Sequence, residues 1–261
     1  MITLKESVTA AVQILIDTLT CVEPTGVTTG FVQLDGLTRG MRRGSLTVLT
    51  SLPGLGKTGF ALNAANNLIG RTPATPVLYC SAISHTELAF RLLSVVSGED
   101  CSYDGDLGAE GIAKLTETVQ NISNRPLCFV DSRPMNGAFF RTVEKLQRKN
   151  RFGLLIVDPV RPEHLADLKK LARDLNVPIL ALLTVRPRSA TIPELDMADT
   201  VIDLRRDRNT AKSAPGTVAM DFIVSRNRSG MCGTCRMYFT PRSMRFREEA
   251  DDIGPKKPDA V

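Results

Sequence analysis

The chain has 261 residues, 43% hydrophobic and 23% charged, a balance that supports a full-sized core and excludes both an intrinsically disordered and a fibrous chain. No apolar run has the length of a bilayer span, and the first residues lack the charged, apolar, small-residue order of a secretory leader, so a cytoplasmic protein that avoids membranes is expected. The net charge is +5, and Arg205, Arg206, Arg208, Lys212, Arg226, Arg228, Arg236, Arg242, Arg245 and Arg247 crowd the last fifth, a basic edge that suits phosphate or is simply a solvated face.

Residues 4–20 place Leu4, Val8, Ala11, Val12, Leu15 and Leu19 on one stripe, which predicts an amphipathic helix that packs on its own domain or docks on a neighbour. Glu23-Pro24-Thr25-Gly26 ends it. Strands and helices then alternate: strand Leu46–Thr50, helix Gly59–Ile69, strand Val77–Ser81, helices Thr86–Ser97 and Ile112–Asn121, strand Leu127–Val130, helix Gly137–Asn150, strand Leu154–Val157, helix Pro162–Leu175 and strand Ile179–Leu183. Three late strands, Thr200–Leu204, Thr217–Ser225 and Cys235–Phe239, have no helices between them. The pattern predicts an α/β fold, a mainly parallel twisted sheet with helices on both faces and an antiparallel extension at one edge. Residues 1–23 form the leading helix, 24–247 the main domain, and 248–261, rich in Asp, Pro, Gly and Lys, a disordered tail. The six cysteines are scattered and read as reduced thiols; Cys232-Gly-Thr-Cys235 has metal or redox spacing but no second Cys/His pair, and fits a hairpin.

The densest signal is Leu46-Thr-Val-Leu-Thr-Ser51 followed by Leu-Pro53-Gly54-Leu55-Gly56-Lys57-Thr58-Gly59 and a helix former. Strand, glycine turn and helix in that order build a phosphate-binding P-loop. Backbone N–H groups of Gly54 to Thr58 point at phosphates, helped by the positive end of the helix; Lys57 reaches the β- and γ-phosphates, and the Thr58 hydroxyl ligates Mg²⁺. Ser51 stands where the loop's first glycine is usual. A second element, Leu154-Leu-Ile-Val-Asp158, is a buried strand running into a carboxylate, which suits a metal-holding acid facing the phosphates. Asp131 follows a similar strand and is expected to make ordinary hydrogen bonds; His85 and His164 are read as surface residues.

From about Pro24 to Phe246 the chain resembles the ATPase domain of DnaB-type replicative helicases, a RecA-like P-loop NTPase. The resemblance is carried by Thr25–Phe31 with Leu34–Gly40 before the P-loop strand, by Phe60–Ala65 and Leu88–Leu93, by the helix and turn Leu168–Pro178, by Ala198–Val201, and by Arg226-Asn227-Arg228-Ser229-Gly230. It implies ATP hydrolysis with Mg²⁺ at the interfaces of a homo-oligomeric ring, a hexamer in the family, coupled to 5′–3′ movement on single-stranded DNA in replication. Lys57, Thr58 and Asp158 would serve the site of their own subunit, Thr184 occupies the position of a γ-phosphate-sensing glutamine, and Arg226 and Arg228 would reach the neighbour's site. The leading helix takes the place of the family's linker helix.

Several positions depart from the family. Its water-orienting glutamate falls on Ala82, between Ser81 and Ile83, with Glu87 on the next helix. Two loops that bind DNA in the family are short here, Pro159–His164 and Pro187–Glu194; Arg161, Arg186 and Arg188 remain for phosphate contact, without an aromatic platform. Three readings follow: an ATP-dependent DNA helicase domain, an ATP-binding scaffold or regulator that does not unwind, or a RecA- or KaiC-like recombination or signalling ATPase.

Overall fold

The computed structural model describes residues 26–72, 75–102, 108–133, 135–186, 192–207 and 215–248, with Val8, Thr9 and Val12. The bulk of the expected leading helix, the tail beyond Glu248, Arg188, Arg208 and Lys212 lie outside the described residues. In chain order the elements are α1 (Val32–Thr38), β1 (Leu46–Ser51), α2 (Lys57–Arg71), β2 (Val77–Ser81), α3 (His85–Ser97), α4 (Ala109–Ile122), β3 (Leu127–Asp131), α5 (Gly137–Asn150) and β4 (Leu154–Val160). A 3-10 turn (Pro162–His164) leads into α6 (Leu165–Leu175) and β5 (Ile179–Thr184), and a second 3-10 turn (Pro193–Met197) into β6 (Thr200–Arg206), β7 (Val218–Asn227), β8 (Gly233–Thr240) and β9 (Arg245–Glu248).

These nine strands form one sheet in the order β3-β2-β4-β5-β1-β6-β7-β8-β9. The central strands are apolar on both faces, and their side chains divide with the two-residue period of a pleat. Leu49, Leu154, Ile156, Leu180 and Leu182 join one hydrophobic cluster with Phe60, Ala61 and Leu62 of α2. Leu46, Val48, Leu155, Val157, Ile179, Ala181 and Leu183 join the other, closed by Phe139 and Val143 of α5 and by Leu165, Leu168 and Leu171 of α6. Helices therefore cover both faces, as the sequence predicts. The first cluster is tied together by rings: Phe60 stacks on Phe31 at 5.4 Å and meets Phe222 at 4.8 Å, while Phe246 stacks on Phe239 at 4.5 Å.

Several boundaries differ from the sequence expectation. β6 pairs in parallel with β1, reached through a 3-10 turn instead of a helix, so the antiparallel extension begins only at β7. The strand bearing Asp158 does not end there but runs on through a register shift to Val160. α1 forms within the segment before the P-loop strand, and Asp35 at its centre organises the chain just upstream: its carboxylate accepts from Thr28 Oγ1 (2.5 Å), Thr29 N (2.9 Å), Thr29 Oγ1 (2.8 Å) and Gly30 N (3.1 Å). Asp131 accepts from Arg133 N at 2.9 Å, the plain role expected of it. Cys232 and Cys235 lie in the β7–β8 hairpin as free thiols, and no metal-holding cluster occurs among the described residues. Among those residues no helix is long and apolar enough to cross a membrane.

Glu248, assigned by composition to the tail, is the last residue of β9 and 8% exposed. Its carboxylate accepts from the backbone N–H of Val32 (2.8 Å) and Gln33 (2.7 Å), two of the unpaired donors at the start of α1. Phe31, which precedes that helix, supplies no side-chain cap of its own. Glu248→Ala is expected to lower stability by about 1–2 kcal/mol, read as an earlier midpoint in urea unfolding; an unchanged midpoint would show that the cap contributes nothing.

Candidate functional site

β1 delivers its chain to a turn whose shape demands glycine. Gly54 and Gly56 have φ of 76° and 87°, in the left-handed region. A Cβ on Gly56 would also come within 3.0 Å of the Phe239 ring and 3.2 Å of Phe246, so the loop lies directly on the β8–β9 hairpin. Gly56 is the N-cap of α2, whose first residues are Lys57 and Thr58, and the free N–H groups and positive dipole end of that 15-residue helix face the turn. In the loop, Leu55 turns inward and packs against the first hydrophobic cluster. Pro53, Gly54, Gly56, Lys57, Thr58 and Gly59 line a cavity of about 980 Å³, together with Asp158 and Thr184.

Ser51, the residue in place of the usual glycine, lies beneath the cavity and 3% exposed. Its hydroxyl accepts a hydrogen bond from Lys57 Nζ at 2.8 Å and donates to the Leu52 carbonyl at 2.7 Å. Two further carbonyls, of Ser51 and Leu52, stand 3.4 Å from the same ammonium. The serine thus adds an acceptor that positions Lys57. Asp158 is 5% exposed, and its Oδ2 accepts from Thr58 Oγ1 at 2.6 Å and from the Tyr79 hydroxyl at 3.2 Å. The hydroxyl and carboxylate expected to share a cation are in direct contact although they are 100 positions apart in sequence. Burial pushes the Asp158 carboxyl above the ordinary carboxylate range, against the pull of the Thr58 and Tyr79 hydrogen bonds and the charges of Lys57 and Arg91. Burial likewise lowers the Lys57 ammonium, with Asp158 opposing the shift. Both charges are held in a place that disfavours them, a common property of functional sites. Oxygen donors of this kind suit a hard divalent cation such as Mg²⁺.

One wall of the cavity was not legible in the sequence. Glu87, Phe90, Arg91 and Ser94 occupy one face of α3, at the three- and four-residue spacing that puts side chains in line, and Glu87 pairs with Arg91. Arg91 is close enough to act on both Asp158 and Tyr79. At Ala82 there is no carboxylate: its N–H donates to the Asp158 carbonyl at 3.0 Å, its carbonyl accepts from Arg133, and the flanking Ser81 hydroxyl accepts from Ile83 N at 3.0 Å.

Arg226 and Arg228 are not brought to this cavity. β1 and β6 are parallel with Thr47 opposite Thr200, and Arg226 lies opposite Val201 on β7. Arg226 is thus level with Val48 and Arg228 with the start of β1, roughly 10 and 17 Å of strand short of Ser51. There Arg226 pairs with Asp196 at 2.5 Å, and Arg228 donates to the Asp196 carbonyl at 2.8 Å. At the first of the short loops the chain passes from β4 to α6 through a 3-10 turn, and Arg161 is exposed with Glu163 at 3.7 Å. His85 is exposed and His164 half-buried.

Since the folded-state pKa of Asp158 is raised, ionising it in the fold costs stability: the cost is absent below the unfolded carboxylate value, grows as pH rises through the folded value, and is full above it. Asp158→Asn keeps the shape and removes the charge. The variant is expected to stabilise the nucleotide-free protein, and by more at pH 8 than at pH 5, as read by thermal melting. An equal effect at both pH values would refute the desolvation argument.

Residues 26–161, more than half of the chain, match the family described as DnaB-like helicase C-terminal domain. The chain is similar to the replicative DNA helicase DnaB of Geobacillus stearothermophilus, 27% identical over 86% of this chain and 57% of that protein. It is also similar to the replicative DNA helicase DnaC of Bacillus subtilis (strain 168), 26% identical over 88% of this chain and 59% of that protein. It thus spans somewhat more than half the length of these relatives. In fold it matches the ATPase domain of G40P (TM-score 0.81, 22% identity, 94% of this chain and 98% of that one). A DnaB-like replicative helicase, solved in a study of its interactions with primase, matches with a TM-score of 0.78 and 23% identity over 92% of this chain and 67% of that one. With the P-loop, the buried acid and the nine-stranded sheet in place, the chain belongs to the DnaB-like helicase C-terminal domain family.

Proposed function

We propose that this domain binds ATP with Mg²⁺ in the cavity at the carboxyl end of β1 and serves as the ATPase domain of a DnaB-type DNA helicase. The observation that carries the reading is the 2.6 Å contact between Thr58 and Asp158 beside the buried Lys57. Thr58 and Asp158 would hold the Mg²⁺, which would supply charge neutralisation at the phosphates. Lys57 leaves its serine and carbonyl acceptors for the phosphates, the N–H groups of the turn and of the first turn of α2 take up phosphate oxygens, and Thr184, level with Ser51 across β5, offers a hydroxyl to the γ-phosphate side. Arg226 and Arg228 lie outside their own cavity, which supports action on a neighbouring subunit in a homo-oligomeric ring, a hexamer by family. Activity would then depend on assembly, and a cytoplasmic location follows from the replication role.

A second reading, nucleotide binding without productive turnover, is favoured by Ala82. Its turn carries no carboxylate to orient water, and a group of that kind is worth about 10²–10⁴ in rate. The two readings share the binding step and separate at hydrolysis. Lys57→Ala is expected to abolish binding of a fluorescent ATP analogue; unaltered affinity would remove the P-loop from the account. Ala82→Glu is expected to raise ATP turnover at least tenfold over a low starting rate, measured by phosphate release with and without single-stranded DNA. A fast, DNA-stimulated native protein that gains nothing from Ala82→Glu would exclude the second reading.

A further inference from the structure

Part of the positive charge of the arginine-rich late segment is paired with carboxylates in the fold. Among the late arginines, Arg226 pairs with Asp196, Arg228 lies 3.8 Å from Asp199, and Arg236 pairs with Asp207 (2.8 Å) and Asp221 (3.0 Å). The exposed Arg205, Arg206, Arg242 and Arg247 have no carboxylate within ion-pair distance among the described residues, and helix α5 adds a group of such cations gathered on one face. Its buried side, with Phe139 and Val143, packs on the sheet. Arg141, Lys145, Arg148 and Lys149 are all exposed on the opposite side, at i, i+4, i+7 and i+8, and the exposed Arg151 follows at the C-cap. Such spacing puts the four helical cations within an arc of about 100° and along about 12 Å of axis. Together with Glu144, the one acid on this helix, they line a shallow groove of about 500 Å³. None of the five cations has a carboxylate within ion-pair distance among the described residues, whereas Lys114, Lys169 and Arg91 elsewhere each have one.

We propose that this face of α5 is a docking surface for the phosphodiester backbone of single-stranded DNA, distinct from the nucleotide cavity. It deepens the helicase reading by giving this domain a strand-contacting surface, and rests on that reading for the choice of DNA. Like charges three and four residues apart repel one another along a helix, so the bare helix carries a strain that a polyanion relieves. The helix dipole accounts for Arg148 and Lys149 in the last turn, but not for Arg141 and Lys145 before it. A membrane surface fits poorly, because none of the exposed large apolar side chains lies on α5. An acidic protein partner fits less well than a nucleic acid, since the groove has no apolar or aromatic pocket of the kind that anchors protein interfaces. Four cations spread along about 12 Å of one helix face meet instead a strand bearing one charge at each repeat. With no stacking platform beside it, the contact is ionic, independent of base sequence and sensitive to salt.

Binding of a fluorescein-labelled oligothymidylate, followed by anisotropy between about 50 and 200 mM KCl, tests this through the slope of log affinity against log salt. Each lost single-strand phosphate contact lowers that slope by about 0.7, so Lys145→Gln/Arg148→Gln is expected to lower it by about 1.4, and Arg141→Gln/Lys149→Gln by a similar amount. Affinity for the ATP analogue should be unchanged in both, which also checks folding, since glutamine keeps the helix propensity of the residues it replaces. Native-like slopes in both double variants would overturn the proposal. So would an absence of DNA binding by the native protein at about 50 mM salt, or displacement of the oligonucleotide by a polyglutamate peptide at equal charge concentration. Lys57→Ala separates the two sites: it should lose nucleotide and keep the native salt slope.

Discussion

The site depends on the parallel register of the central strands. Ser51 at the end of β1 is level with Thr184 at the end of β5, and Ser81 at the end of β2 is level with Asp158 in β4. Their carboxyl ends therefore open on one edge of the sheet, where open α/β folds bind ligands. The pleat then chooses the face. Leu154 and Ile156 point to the side covered by α2, and Asp158, two residues further on, points the same way and meets Thr58. A slip of one residue in β4 would turn Asp158 toward α5 and α6 and carry Val157 to the site. The apolar alternation that fills two cores is thus also what aims the acid.

Two buried charges at low exposure need a rigid surround, and the late strands supply it. Phe239 and Phe246 of the β8–β9 hairpin press on the position where a Cβ of Gly56 would lie, and Phe246 packs on Phe60 and Phe222. The Asn63 side chain, from α2, donates to the Met244 carbonyl (2.8 Å) and accepts from Phe246 N (3.2 Å), fastening the P-loop helix to the same hairpin. The antiparallel extension is the back wall of the P-loop, and its β8–β9 turn brings Arg242 to the cavity. Tyr79, wholly buried, gives Asp158 a second donor and keeps its own hydroxyl protonated through burial and the nearby carboxylate.

What the sequence made legible was local. Apolar runs of strand length, the glycines before Lys57 and the acid after Ile156-Val157 each declare themselves within a few residues, and the fold and the center of the site followed. β9 was missed because four residues, Arg-Phe-Arg-Glu, carry a single apolar side chain, and Glu248 acts on backbone 216 positions away. α1 was missed because Gly36 and Thr38 are poor helix formers, and the helix is held by Asp35, Glu248 and the burial of Leu34. Charge was the least legible property: whether an arginine is spare depends on carboxylates that only the fold brings near. Arg236 looked free in sequence and meets two aspartates from other turns of the chain, while the stripe on α5 drew no notice within an ordinary amphipathic helix.

On the proposed function, the two ends of β1 would carry different halves of one reaction scheme. At its carboxyl end the strand opens into the cavity; at its amino end Leu46 N donates to Asp199 Oδ2 at 2.7 Å, and that carboxylate also holds Lys169 at 2.5 Å and stands 3.8 Å from Arg228. Arg228, proposed to act on a neighbour, and the root of the strand that leads to this chain's own P-loop thus share one anchor. Surfaces at opposite ends of a subunit that complement each other form a heterologous contact, which closes into a ring or runs on as a filament. In such an arrangement a shift of Arg228 toward a neighbour's phosphate would be felt first at Asp199, and so at the base of β1. One short, fully buried strand would then link the site a subunit completes to the site it owns.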